Sequence, residues 1–203
     1  NRRRVIDWYV PAQRGKKNPD GLVQRYLNVW RTIEADLPEC PQCVLHVDFH
    51  LENLMWVPEA EGLEVCGILD YQNAMIGPVP YDLANLLEDA RVDVPGDIRA
   101  AMLDRYCEEM SPEERETFEA WYALLSAQFH CRVIGQFIRL AVWGGKPRYL
   151  EYMPIVAKHL RRHLQNPLLK PLDDFFSEEK VDFESLPDFN IEDIRTVIRD
   201  DAV

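Results

Sequence analysis

The sequence predicts an α+β chain that is mostly helical, with one small β-hairpin set among the helices. Three observations predict it. Leu22, Tyr26, Val29, Trp30, Ile33 and Leu37 recur at steps of three and four residues, the spacing of one buried helix face. Leu54 to Val57 and Val65 to Leu69 are short apolar runs on either side of the turn-like Pro58-Glu59-Ala60-Glu61-Gly62. After Gly77-Pro78 the apolar residues return to helical period and keep it.

In chain order, the first helix ends at Pro38 to Pro41. Val44 to Val47 follows as a short apolar run, and the hairpin comes next. Tyr81 to Ala90 reads as a short helix, and Gly96 to Met110 as another, with Ile98, Met102, Tyr106 and Met110 on one face. Ser111-Pro112-Glu113-Glu114 opens a fourth: an N-cap hydroxyl, a proline in the first turn and acids facing the positive end of the helix dipole. That helix is expected to reach Trp143, where Gly144-Gly145 stops it. A last helix spans about Tyr149 to Gln165, with Pro154 early in it. Gly144-Gly145-Lys146 lacks the upstream glycine and the following Ser or Thr of a phosphate loop, so it reads as a helix end. His159 and His163 have the i, i+4 spacing of a helix-borne metal pair, but Lys158, Arg161 and Arg162 around them point to a solvated basic face.

Composition excludes several classes. The chain of 203 residues is 47% hydrophobic and carries a formal charge of -12, with no basic stripe to neutralise nucleic-acid phosphates. Eleven acidic against three basic residues between Pro171 and Val203 account for eight of those twelve charges, so an anionic nucleotide remains an acceptable ligand for the rest. No apolar run of about 18 residues is present, which argues against a membrane span. Five cysteines without a framework spacing suit a reducing, cytoplasmic compartment. Cys40-Pro41-Gln42-Cys43 has no second short-spaced pair to complete a zinc site and reads as two thiols in a loop before a strand.

The chemistry concentrates around the hairpin. With its turn centred near residues 61 and 62, residue 54 falls opposite residue 69, and Asn53 and Asp70 emerge side by side at one end. An Asn carbonyl and an Asp carboxylate are hard oxygen ligands of the kind Mg²⁺ takes while keeping several waters. Asp48 lies on the loop entering the same end. Phosphoryl transfer needs a metal against the triphosphate and a carboxylate to orient the attacking hydroxyl and accept its proton. Asn53 and Asp70 suit the first task, Asp48 the second. A rival reading makes His46, Asp48, His50 and Asp70 the ligands of a metal-dependent hydrolase. Another makes the chain a non-catalytic kinase-like binding module.

The segment HVDFHLEN resembles the catalytic loop, H-x-D-x-x-x-x-N, of the aminoglycoside phosphotransferase and choline kinase family, whose fold is protein-kinase-like. ILDYQNA resembles that family's metal-binding segment, and the following Gly77-Pro78 and Tyr81-Asp82-Leu83-Ala84 fit in order. The resemblance implies that Asp48 is the catalytic base, that Asn53 and Asp70 hold Mg²⁺, and that His46 and His50 support the loop. It makes Asp82 a buried acid anchoring the loop backbone. It also implies ATP or GTP as phosphoryl donor and a small-molecule hydroxyl as acceptor. Within the family, GILDYQNAMIGPVPYDLANLLEDARVDV and GGKPRYLEYMP are most similar to bacterial kinases acting on the anomeric hydroxyl of N-acetylmuramate and N-acetylglucosamine in cell-wall recycling. The acceptor is therefore expected to be a sugar, with Phe137, Arg139 and Trp143 as candidate substrate contacts.

The likeness covers residues 1–170, expected to form the C-terminal, catalytic and acceptor lobe. Residues 171–203 are an acidic extension expected to be disordered or to pack back through Phe175, Phe176, Phe183 and Phe189. The family's N-terminal lobe, with its nucleotide-covering loop, lysine and glutamate, has no counterpart in these residues, so this chain by itself is expected to bind ATP poorly and turn over little.

Overall fold

The computed structural model describes residues 2–198. Its contacts divide the chain into two units, Asn1–Leu37 with Ala127–Val203, and Pro38–Ser126.

The first unit is helical. A π-helical turn, Val5–Tyr9, runs into α1 (Val10–Arg14), which ends on Gly15 at φ 62°. Helix α2 (Leu22–Ala35) buries Leu22, Tyr26, Trp30 and Ile33, the face its periodicity predicts. The long helix α5 (Pro112–Val142) contributes its part from Ala127 onward, followed by α6 (Met153–Leu164), α7 (Lys170–Glu178) and α8 (Ile191–Val197). Val5, Ile6, Trp8 and Tyr9 are fully buried. Gly135 makes that possible, because a Cβ there would meet the Arg4 carbonyl oxygen at 2.0 Å; the α5 backbone and the N-terminal strand of chain lie against each other with no room for a side chain. The acidic C-terminal stretch is anchored by aromatics: Phe175 lies 5.6 Å from Tyr26, Phe176 lies 5.1 Å from Phe183, and Phe183 stacks on Tyr9 at 5.2 Å. Phe189 is half-buried.

Helix α6 corrects one expectation. Pro147–Tyr152 is a 3-10 turn, and the helix begins at Met153, with Pro154 in its first turn where a missing N–H costs nothing. Its buried face is Met153, Val156, His159, Leu160 and His163, so the two histidines lie inside the unit and not on a solvated basic face. The i, i+3, i+4, i+7 phase of Val156, His159, Leu160 and His163 outweighs their charged neighbours. His159 stacks on His130 of α5 with ring centroids 4.8 Å apart.

The second unit holds two small sheets. Strand β1 (Gln42–Leu45) pairs antiparallel with β4 (Met75–Pro78), and β2 (Leu54–Trp56) with β3 (Cys66–Ile68). The second pair is the expected hairpin; β4 was not anticipated. Helix α3 (Pro80–Leu87) follows β4 directly, and α4 (Gly96–Tyr106) comes next. Ala84, Cys107, Phe118 and Tyr122 form a buried cluster with Val79, Leu83, Leu103 and Met110 around it. At the start of α5, Ser111 N–H donates to Glu114 Oε2 at 2.8 Å and Glu114 N–H to Ser111 Oγ at 3.3 Å, a reciprocal capping box. At its end Gly145 takes φ 63° and Lys146 N–H donates to Leu140 O at 3.0 Å, which closes the helix as its glycine pair predicts. Cys40 is buried and Cys43 half-buried, and all five cysteines are free thiols. Among the described residues no helix is long and apolar enough to cross a membrane.

Candidate active site

Strand β1 delivers the chain to His46, and α3 receives the backbone that follows. The Asp82 carboxylate accepts from His46 N–H at 2.6 Å through Oδ2 and from Val47 N–H at 2.9 Å through Oδ1. Asp82 is half-buried, more open than a fully enclosed acid. One turn on, Asn85 donates through Nδ2 to Val47 O at 3.1 Å. Val47 itself sits at φ 79°, a left-handed conformation that a β-branched residue rarely takes. Such a residue costs about 1–3 kcal/mol, while hydrogen bonds to a charged acceptor contribute roughly 1.5–3 kcal/mol each; the two bonds to Asp82 are enough to hold it. Past the end of α3, buried Asp89 accepts from Leu51 N–H at 3.4 Å and from Arg91 N–H at 2.7 Å. The loop from His46 to Leu51 is thus tied to α3 and its C-terminal exit at both ends.

A second set of bonds joins this loop to the hairpin. His46 Nε2 lies 2.7 Å from Leu69 O; since a carbonyl only accepts, the ring carries its proton on Nε2. Leu69 N–H donates to Asn53 O at 2.9 Å. Leu69 is therefore held on both its polar atoms, and the next residue is Asp70, at φ 61° and heading the 3-10 turn Tyr71–Asn73. The pairing differs by one residue from that expected: Leu54 lies opposite Ile68, not Leu69, because the 3-10 turn Gly62–Val65 puts the hairpin midpoint at Glu61. Asn53 still meets the β3 exit, through Leu69 and not through Asp70 itself.

Asn53 turns its amide inward. Its Nδ2 donates to Asp48 O at 2.8 Å and lies 3.3 Å from His50 Nε2, which is 3.7 Å from Asp48 Oδ2. The Asp48 side chain is 61% exposed, open to solvent. With Nδ2 engaged, the hard donor atom Asn53 can offer outward is its carbonyl oxygen, and Asp70 adds an exposed carboxylate whose Oδ1 accepts from Gln72. Hard oxygens with solvent at hand fit Mg²⁺, which gives up its waters reluctantly. His46, by contrast, has spent Nε2 on Leu69 O and keeps its other ring nitrogen, Nδ1, buried, which speaks against the hydrolase ligand set.

The sequence matches the model of the phosphotransferase enzyme family, APH, over residues 1–121. The chain belongs to that family. It is 36% identical over 148 residues to the N-acetylmuramate/N-acetylglucosamine kinase of Caulobacter vibrioides, a match covering 73% of this chain and 41% of that protein. It is 30% identical over 166 residues to the N-acetylmuramate/N-acetylglucosamine kinase of Neisseria meningitidis, covering 77% of this chain and 47% of that protein. A protein of the same name from Pseudomonas aeruginosa is 31% identical over 160 residues, 76% of this chain and 46% of that one. The chain spans about half the length of the curated relatives it matches.

Membership in the phosphotransferase family carries a protein-kinase-like fold, and the mostly helical chain with its two small sheets agrees with it. Three residues of this family member that sequence reasoning passed over belong to the loop's support: Asn85, Asp89 and, through its φ, Val47. Polar side chains at Asp82, Asn85 and Asp89, spaced three and four residues apart in a stretch that is largely apolar apart from Glu88, were the available sign. Phe137, Arg139 and Trp143 lie in the first unit. Phe137 is buried against Tyr149 at 5.3 Å and Tyr152 at 5.8 Å, and the Arg139 guanidinium sits 6.0 Å from the Trp8 ring centroid. Trp143 is exposed, with the Arg195 guanidinium over its ring at 5.9 Å.

Near the loop the thiols are quiet. Burial pushes the Cys43 thiol up, with the Asp82 charge adding to it, and burial likewise raises Cys40. Neither is a thiolate nucleophile at neutral pH.

Proposed function

We propose that the chain is the catalytic and acceptor part of a phosphotransferase that moves the γ-phosphate of ATP or GTP to a hydroxyl of a small molecule. The observation that carries this reading is the double tether of Leu69, from His46 Nε2 and to Asn53 O, which sets Asp70 beside the loop bearing Asp48. Asp48 orients the acceptor hydroxyl and takes its proton as the bond to phosphorus forms. Asn53 and Asp70 would hold Mg²⁺, which would supply charge neutralisation for the transferring phosphate. His46 and His50 brace the loop, and Asp82 anchors its backbone. The names of the relatives favour an amino sugar as acceptor; the anomeric hydroxyl as the position phosphorylated is what the sequence resemblance implies. Phe137, Arg139 and Trp143 remain the candidate sugar contacts that the sequence suggests; of them Phe137 is buried and Trp143 exposed.

In this reading residues 1–170 form the catalytic and acceptor lobe and 171–203 an extension, of which Phe175, Phe176 and Phe183 pack on Tyr26 and Tyr9. The test uses the full-length protein with ATP and magnesium, reading nucleoside diphosphate release with N-acetylmuramate, N-acetylglucosamine and an aminoglycoside. Release with either amino sugar well above that with the aminoglycoside supports the assignment. Release with the aminoglycoside alone moves the acceptor class, and no release with any acceptor or with water removes the kinase reading.

A further inference from the structure

Asn85 is 3% exposed, and its Nδ2 makes one hydrogen bond, to Val47 O. Its Oδ1 is buried without a hydrogen-bond partner among the described residues. An amide half-satisfied in the interior is a poor choice for helix stability alone, where a leucine would serve better, and such a group calls for an explanation. Its single bond supplies one. The peptide units on both sides of Val47 are gripped from α3: the preceding one through Val47 N–H on Asp82 Oδ1, the following one through Val47 O on Asn85 Nδ2. The second of these is the peptide that leads into Asp48. With Val47 at φ 79°, rotation of that peptide would swing the Asp48 side chain directly, and the carboxylate's reach to an acceptor would change with it.

We infer that Asn85 is a positioning residue, holding the Val47–Asp48 peptide in the left-handed turn that aims Asp48. This rests on the phosphotransferase reading of Asp48. Asp82 fixes where the loop begins; Asn85 fixes the orientation of the one peptide next to the base. Asn85→Asp keeps size and shape but removes the donor and sets a charge against the Val47 carbonyl. Glycine adopts positive φ without a Cβ penalty, so Val47→Gly relieves the conformation that Asn85 must enforce.

The experiment measures steady-state kinetics of the full-length protein for Asn85→Asp, Val47→Gly and the double variant, beside Asp48→Asn and Asp70→Asn. Deuterium uptake of the peptide spanning residues 46–51 is followed in parallel. Asn85→Asp should lower kcat about 10- to 100-fold with both KM values within about twofold, as for a group acting on the chemical step. Uptake in 46–51 should rise, and the melting temperature should fall as well, because the substitution sets a charge in a buried position; the split between kcat and KM and the coupling to Val47, not stability, read the positioning role. Val47→Gly, added to Asn85→Asp, should recover at least about threefold of the lost kcat relative to Asn85→Asp alone, a coupling that a merely structural role would not give. Unchanged kcat in Asn85→Asp, or a double variant no better than Asn85→Asp, overturns the inference. If Asn85→Asp does not fold, Asn85→Ser is judged by the same criteria. Failure of the underlying reading is distinct: there Asp48→Asn and Asp70→Asn would also leave transfer intact.

Discussion

His46 Nε2 donates to the carbonyl oxygen of Leu69 across 2.7 Å, joining the loop that carries Asp48 to the residue just before Asp70. Together with the Leu69 N–H bond to Asn53 O, this bond ties two sequence motifs, separated by a hairpin, to each other. His46→Ala should therefore act on the metal side of the reaction as well as on the loop. We expect about 3- to 10-fold weaker magnesium-nucleotide binding by calorimetry, and faster deuterium uptake in residues 69–73. His46→Gln, which keeps a donor, should recover part of both. Unaltered uptake in 69–73 would show that the bond does not hold Asp70.

Asp82→Ala leaves the N–H groups of His46 and Val47 without their acceptor and Val47 without support for its positive φ. Loss of stability of about 2–4 kcal/mol in urea unfolding is expected, with activity lost beyond detection. Asp82→Asn, which retains one acceptor oxygen, should lose less than half as much.

Gly135→Ala places a methyl group on the Arg4 carbonyl. Because the obstacle is backbone and not the end of a flexible side chain, the N-terminal turn must move, at a cost of about 1–3 kcal/mol or more. A urea midpoint indistinguishable from wild type would contradict the packing described for Val5–Tyr9.

Burial pushes the Cys131 thiol up to about 12, against an ordinary value near 9. The folded state keeps this proton when the unfolded state has lost it, so the contribution is fully present below pH 9 and is lost as pH rises toward 12. Stability should fall through that window, with Cys131 contributing up to about 1.4 kcal/mol per pH unit. Cys131→Ala should flatten the fall by about one proton in a plot of unfolding free energy against pH; an unchanged slope would place the thiol in contact with water.

Much of this was legible in the sequence, and the exceptions have physical causes. Helix α2, the capping box at Ser111 and the glycine stop at Gly145 are local features, written in neighbouring residues. The motif around Asp48 and Asn53 was legible because chemistry restricts its residue types. Strand β4 was not, since Gly77-Pro78 reads as a break and its partner β1 lies some thirty residues away, visible only once the chain has folded back. The hairpin register slipped by one because a 3-10 turn, not a tight turn, closes it. His159 and His163 were misplaced because flanking charges were weighed above helical phase. Asn85 escaped notice because a lone amide in an apolar helix acquires meaning only from the Val47 carbonyl it reaches.

The most direct test of the site as a whole separates base from metal ligand. Single-turnover phosphoryl transfer by the full-length protein is measured across a magnesium titration for Asp48→Asn and Asp70→Asn. Asp48→Asn keeps shape but cannot take a proton, so transfer should slow by about 10²- to 10⁴-fold at every magnesium concentration. Asp70→Asn removes a negative charge from the proposed metal site and should regain rate as magnesium rises. Rescue of Asp48→Asn by magnesium with none for Asp70→Asn would reverse the two roles; undiminished transfer in both would show that this loop is not the active site.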